Sequence, residues 1–193
     1  MRAYARLSHD ERRQQLLDVG LRLFTERPYD DFSMEEAAET AGVSKGLLYH
    51  YFPTKRDYYM SVIRAATDEM LRLTMPPPHL DRFDQLRIGL DAYLSFVEDH
   101  AAAYRAVLRG GIGSDPEVVA IADDFRRTIY ARIADGLGLR RAAAPQELAL
   151  LGWIGFVEAV SLEWVERRRP ARARLIGLLV DTLADVVDRW GIT

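Results

Sequence analysis

The chain contains no cysteine among its 193 residues. That gap removes disulfides, thiolate metal sites and a cysteine nucleophile together. Histidine is scarce: His9, His50, His79 and His100 are scattered without ligand spacing, so no metal site is expected. There is no strand-like alternation of useful length, and clusters of proline and glycine are sparse. The sequence patterns of common enzymes are missing. Gly110-Gly111-Ile112-Gly113 lacks a phosphate-loop lysine, and no Gly-x-Ser-x-Gly, Ser-x-x-Lys or His-Glu-x-x-His occurs. No apolar run approaches the ~20 residues of a membrane span, and Met1–Asp10 has no signal-peptide core. The expectation is a cytoplasmic protein that is not an enzyme, takes no cofactor and does not enter a membrane. Positive charge is not in excess either. The formal net charge is −3, and residues 1–55 carry eight basic against nine acidic side chains. Coating a polyanion is thereby disfavoured, and any nucleic-acid contact must come from donors gathered on one face.

What is present is legible helix punctuation. Ser8 followed by Glu11, and Ser33 followed by Glu36, are capping pairs in which each side chain satisfies the other residue's backbone amide. They open a first helix, with Leu16, Leu17, Gly20, Leu21, Leu23 and Phe24 inward and Pro28 as its stop, and a short second helix through Thr40. Ala41-Gly42-Val43 breaks the chain, with Gly42 suited to a left-handed turn. Ser44 caps a third helix over 45–51, and Thr54 a fourth from Lys55 to about Leu73. Later breaks at Met75–Pro78, Arg109–Gly113, Gly136–Gly138, Ala144-Pro145 and Arg169-Pro170 predict helices near 81–99, 101–109, 116–135, 146–168 and 171–190. Asp115-Pro116 reads as a cap with proline at the first helical position. The fold class is all-α.

Residues 33–52, SMEEAAETAGVSKGLLYHYF, have the spacing of a helix-turn-helix. Small Ala37, Ala38 and Ala41 allow two short helices to cross closely, Gly42 reverses the chain, and Val43 and Leu48 pin the second helix to the first. The polar face left outward carries Lys45, Tyr49 and His50, with Gly46 permitting close backbone approach to a groove. Ser33 and Ser44 stand at helix N-termini, where a hydroxyl and free amides together favour an anion.

With these residues in place, positions 8–60 resemble the headpiece of the TetR family. Its hallmark is a glycine turn, a recognition helix ending in Tyr-x-x-Phe, and a lysine shortly after, here Gly42, Tyr49, Phe52 and Lys55. The resemblance implies phosphate contacts from Tyr49 and Lys55, base-edge contacts from Lys45, Gly46 and His50, and a core role for Phe52. Tyr51 fits either side. Three positions depart from the usual pattern: Pro28 for glycine, Leu47 for threonine and Tyr58 for leucine. A three-helix headpiece over 1–54 and a larger helical regulatory and dimerisation domain over 55–193 are expected.

In the second part, Leu148–Val157 runs ten residues without a polar side chain, and 175–190 confines Asp181, Thr182, Asp185, Asp188 and Arg189 to one stripe. Helices with that much apolar surface need cover on more than one side, which predicts a two-fold homodimer interface. Gly155 and Leu179 are its expected contact positions. The family resemblance also implies a ligand cavity, for which Tyr93, Phe96, Tyr104, Phe125, Trp153, Phe156 and Glu158 are the candidate lining. The expected partners are double-stranded operator DNA, a second copy of the chain and a small, largely apolar effector. The resulting reading is a regulator, in the family's usual mode a repressor, released from its operator by that effector. The rival is a helical small-molecule or lipid carrier without DNA binding.

Overall fold

The computed structural model describes residues 7–26, 29–109, 115–139 and 141–192. Within these the chain forms nine α-helices and no strand: α1 His9–Glu26, α2 Met34–Thr40, α3 Lys45–Tyr51, α4 Lys55–Leu73, α5 Arg82–Asp99, α6 Ala101–Arg109, α7 Pro116–Gly136, α8 Ala144–Arg167 and α9 Arg172–Trp190. A single turn of 3-10 helix, Tyr29–Asp31, precedes α2. The expected all-α class is observed and the helix starts lie close to those expected, except that Ala144-Pro145, read as a break, forms the first turn of α8, where proline is tolerated. The stop assigned to Pro28 and the turn at Gly110–Gly113 lie outside the described residues.

The starts follow from the caps. Ser8 N–H donates to Glu11 at 2.8 Å while the Glu11 amide donates to Ser8 Oγ at 3.2 Å. Thr54 and Asp57 make the same reciprocal pair, at 3.1 and 3.0 Å. Asp115 accepts from the Glu117 amide at 2.9 Å, with Pro116 at the first helical position where no amide is needed. Each such cap contributes roughly 1 kcal/mol to the helix it opens.

The chain divides into two compact units. The first runs up to Thr67 and includes Ala102–Val118; the second is Asp68–Ala101 with Val119–Thr193. The core of the first unit is aromatic. Phe24, Phe32, Phe52, Tyr58 and Tyr59 are all buried, with ring centroids 4.5–6.0 Å apart from Phe24 to Tyr59 and Tyr58, 4.7 Å from Phe24 to Phe32 and 4.8 Å from Phe52 to Tyr58. Burial raises the pKa of the Tyr58 phenol well above its ordinary value and pushes that of Tyr59 up to about 12, helped there by Tyr29. The returning segment is tied to α4 by charge: Arg56 meets Asp115 at 2.8 Å and Glu117 at 2.9 Å, and Arg64 meets Glu117 at 2.5 Å.

The second unit packs α8 on α9, with α5 against both. Leu150, Trp153, Ile154 and Val157 of α8 face Leu175, Leu179, Val180 and Leu183 of α9 in the core. Trp153 Nε1 donates to the Leu179 carbonyl at 3.0 Å. Arg172 at the start of α9 binds Ser95 Oγ of α5 at 2.6 Å and pairs with Glu98.

Two expectations change here. Leu179 is wholly buried inside the chain rather than on its surface, and its carbonyl accepts from Trp153 of α8. As the expected dimer face requires, the described residues do not cover the apolar run of α8 all round. Leu148, Gly152, Gly155 and Phe156, spaced four, three and one residues apart, form one exposed stripe, with Leu148 70% and Phe156 38% exposed. By length and composition α8 is long and apolar enough to cross a membrane, with mean hydropathy 1.6 in a stretch that is 44% buried. Counting only the uninterrupted ten residues missed this, since Glu158 is followed by further apolar residues.

Candidate nucleic-acid interface and effector cavity

The turn between α2 and α3 forms as its residues require. Gly42 adopts φ +67°, the left-handed region, and the Val43 amide closes the turn on the Ala38 carbonyl at 2.9 Å. Ser33 Oγ accepts from the Glu36 amide at 3.1 Å and Ser44 Oγ from the Leu47 amide at 3.2 Å. Both serine hydroxyls are therefore engaged as caps. Ala37, Ala38 and Ala41 are buried where α2 and α3 meet, and Leu48 is fully buried, so the opposite face of α3 is fixed outward.

That outward face holds Lys45, Gly46, Tyr49 and His50, all exposed. Nothing would touch a Cβ built on Gly46, so the backbone there is open to a close partner. Lys45 is paired with Glu35 of α2, and its ammonium lies 5.7 Å from the Tyr49 ring centroid. The Lys45 hydrogen bond to Glu35 holds that carboxyl below the usual range. Tyr51 is half-buried instead: its ring stacks on His9 at 4.7 Å and its hydroxyl donates to the His9 carbonyl at 3.4 Å. Lys55 stands over the Tyr29 ring at 4.6 Å and the Phe32 ring at 5.8 Å. Leu47 is half-buried, and Phe52 is buried as expected.

The second unit contains a half-open cavity of about 160 Å³. Tyr93, Phe125, Trp153 and Glu158 line it. The other three candidates are placed elsewhere: Phe96 is buried against His100 at 4.5 Å, Phe156 is on the exposed stripe of α8, and Tyr104 belongs to the first unit. Leu90, Ile129, Ile133 and Leu183 complete the apolar wall. The polar groups are few. Both oxygens of Glu158 accept from Arg126 Nε, at 3.0 and 3.1 Å, and Arg126 Nη1 reaches Asp123 at 2.8 Å. Burial pulls the Arg126 pKa down, but these carboxylates outweigh it and raise the pKa above its usual value. Arg132, which sequence reading did not single out, also lines the cavity. Among the described residues no group of His, Asp and Glu is arranged to hold a metal.

Comparison with known proteins decides the family. A model of the bacterial regulatory proteins of the TetR family matches residues 16–58, and one of the tetracyclin repressor-like C-terminal domain matches residues 83–186. This chain belongs to the TetR family. It is a DNA-binding transcriptional regulator, not an enzyme. The TetR-family chain is 30% identical over 153 residues to the HTH-type transcriptional regulator EthR of Mycobacterium tuberculosis, covering 76% of this chain and 70% of that protein. It is 34% identical over 122 residues to the HTH-type transcriptional activator FasR of Mycolicibacterium smegmatis, covering 60% of this chain and 53% of that protein. The match thus spans about half the length of that relative. A TetR-family regulator from Streptomyces coelicolor superposes with a TM-score of 0.85 at 32% identity, over 95% of this chain and 85% of that one. The exposed α3 face and the cavity are therefore features of a TetR-family regulator, and the carrier without DNA binding is set aside.

Proposed function

We propose that the protein is a cytoplasmic homodimer that grips a near-palindromic operator through the exposed face of α3 and leaves it when a small, largely apolar effector fills the cavity of the second unit. The carrying observation is the outward set of Lys45, Gly46, Tyr49 and His50, held in register by buried Leu48 and the Gly42 turn. On this reading Lys45 and His50 read base edges, Tyr49 and Lys55 hold phosphates, and Gly46 lets the backbone close in. Ser33 and Ser44 add the amide-rich starts of α2 and α3. Tyr51 orients α3 by its hold on His9. The headpiece on this reading is residues 1–54, up to the start of α4, and the first compact unit extends beyond it to Thr67.

The dimer reading is supported by apolar surface that the described residues leave exposed: the α8 stripe, with Leu178 45% and Trp190 48% exposed on α9. Two copies of such helices make a four-helix interface. Two recognition helices then require half-sites about one helical turn, roughly 34 Å, or a multiple of it, apart. The effector reading is supported by a half-open cavity with mostly apolar walls and few polar fixtures. The helix α4 begins at Lys55 and ends just before Thr74, which lines that cavity. Ligand-driven movement of α4 would therefore reach the headpiece.

The test is selection of bound sequences from random DNA with the full chain, followed by binding to the winning site with and without ligands found by thermal shift. A palindromic consensus, with ligands that weaken binding to it, supports the reading. Ligands that stabilise the protein yet leave operator affinity unchanged refute the coupling, because a tenfold loss of DNA affinity must be matched by tenfold weaker ligand binding to the complex. A promoter-reporter fusion fixes the sign: transcription that rises on deleting the protein marks repression.

A further inference from the structure

Arg132 is a cation on a mostly apolar wall. It sits on α7, half-buried, and lines the cavity. Its Nη1 donates to the Leu71 carbonyl at 2.8 Å and lies 3.4 Å from Thr74 Oγ1. The last turn of α4 ends there, its dipole favours positive charge, and the Leu71 carbonyl also accepts from Thr74 Oγ1 at 3.3 Å. These contacts orient the guanidinium while leaving Nη2 and Nε without a protein partner among the described residues. Arg126, nearly two turns earlier on the same helix, is neutralised by Asp123 and Glu158. Among the described residues Glu158 is the only acidic side chain in the lining, and both its oxygens are taken. The cavity wall therefore carries a surplus of positive charge at Arg132, to which the exposed Arg82 adds. A half-buried guanidinium beside apolar groups is stabilised by an anion that arrives with its own apolar body.

We propose that the cavity takes a carboxylate-headed apolar molecule, its carboxylate on Arg132 and its hydrocarbon part against Leu90, Phe125, Ile129 and Trp153. This rests on the effector reading above and adds to it the chemistry of the head group. A planar guanidinium with Nη2 and Nε open matches a carboxylate with two parallel hydrogen bonds. An alcohol engages one donor without charge, and an alkylammonium meets like charge.

The full-length protein is titrated calorimetrically at pH 7 with octanoate, 1-octanol and octylamine. Octanoate binds at least tenfold more tightly than 1-octanol. Arg132→Gln removes that advantage while leaving 1-octanol affinity unchanged, and Arg132→Lys restores part of it. Val157→Phe narrows the cavity and weakens both ligands. If 1-octanol or octylamine equals octanoate, or if Arg132→Gln leaves octanoate affinity intact, while Val157→Phe still weakens binding, the head-group assignment is overturned and the effector cavity stands. If no probe binds, or Val157→Phe changes nothing, the cavity is not the ligand site and both fall. Circular dichroism melts of each variant separate lost binding from lost folding.

Discussion

Gly20 and Tyr58 pack so closely that a Cβ on the glycine would stand 2.8 Å from the tyrosine hydroxyl oxygen and 2.5 Å from Val62 Cγ2. The same hydroxyl donates to the Leu16 carbonyl at 2.5 Å, one helical turn before Gly20. Tyr58 stands where the family usually has leucine, and α1 makes room for the larger ring with a glycine. Overpacking there outweighs the better helix propensity of alanine, worth roughly 1 kcal/mol. Gly20→Ala is expected to lower stability by about 1–3 kcal/mol in urea titration. Tyr58→Phe should cost about 0.5–1.5 kcal/mol through the lost hydrogen bond. An unchanged or raised midpoint for Gly20→Ala would show that the contact is loose.

The buried phenols make the first unit sensitive to alkali. Their folded pKa values lie above the ordinary 10, Tyr59 at about 12, so the unfolded state releases protons first. Stability is therefore intact below pH 10 and falls as pH rises from there towards 12, by up to roughly 1.4 kcal/mol per pH unit per tyrosine. Tyr59→Phe should flatten that fall between pH 10 and 12. Guanidinium melts across this range, read by tyrosine absorbance, check it; equal slopes in the two proteins contradict it.

On DNA, the two lysines should behave differently. Lys55→Ala should weaken binding to all sequences alike and reduce the salt slope by about one. Lys45→Ala should relax preference at particular base pairs, by roughly 1–3 kcal/mol per lost contact. Glu35→Gln frees Lys45 from its partner and should strengthen binding to random DNA. Competition gel shifts over a salt series distinguish these outcomes, and identical profiles for the two lysine variants would remove the assigned roles.

For assembly, the neighbouring leucines of α9 give a sharp contrast. Leu178→Glu, on the exposed side, should yield folded monomers, whereas Leu179→Glu, in the core beside Trp153, should unfold the second unit. Light scattering combined with circular dichroism reads both. A Leu178→Glu protein that remains dimeric at micromolar concentration would place the interface elsewhere.

Helix boundaries and the headpiece were legible because their signals are local. A cap, a glycine turn or a proline at the first helical position acts on backbone groups within a few residues. The cavity was only half legible for the opposite reason. On α8 both sides are apolar, so no periodicity marks Trp153 as inward and Phe156 as outward, although they are three residues apart. Tyr93 and Phe96 are likewise both buried, but only Tyr93 faces the void. Arg132 gave no signal, being one arginine among Arg126 and Arg127 on the same helix. Its role depends on where the end of α4 lies in space, and that is set by packing. The Lys45–Glu35 pair escaped notice because its partners stand ten residues apart on different helices.

The account rests on an α3 face that binds DNA. The most direct measurement is affinity of the purified, full-length protein for a selected operator and for scrambled DNA across 50–200 mM salt. The expected result is tight binding to the operator that falls by orders of magnitude with salt, a preference over scrambled sequence, and loss of that preference in Lys45→Ala. No salt-sensitive binding to any DNA, or equal affinity for operator and scrambled sequence, would contradict it.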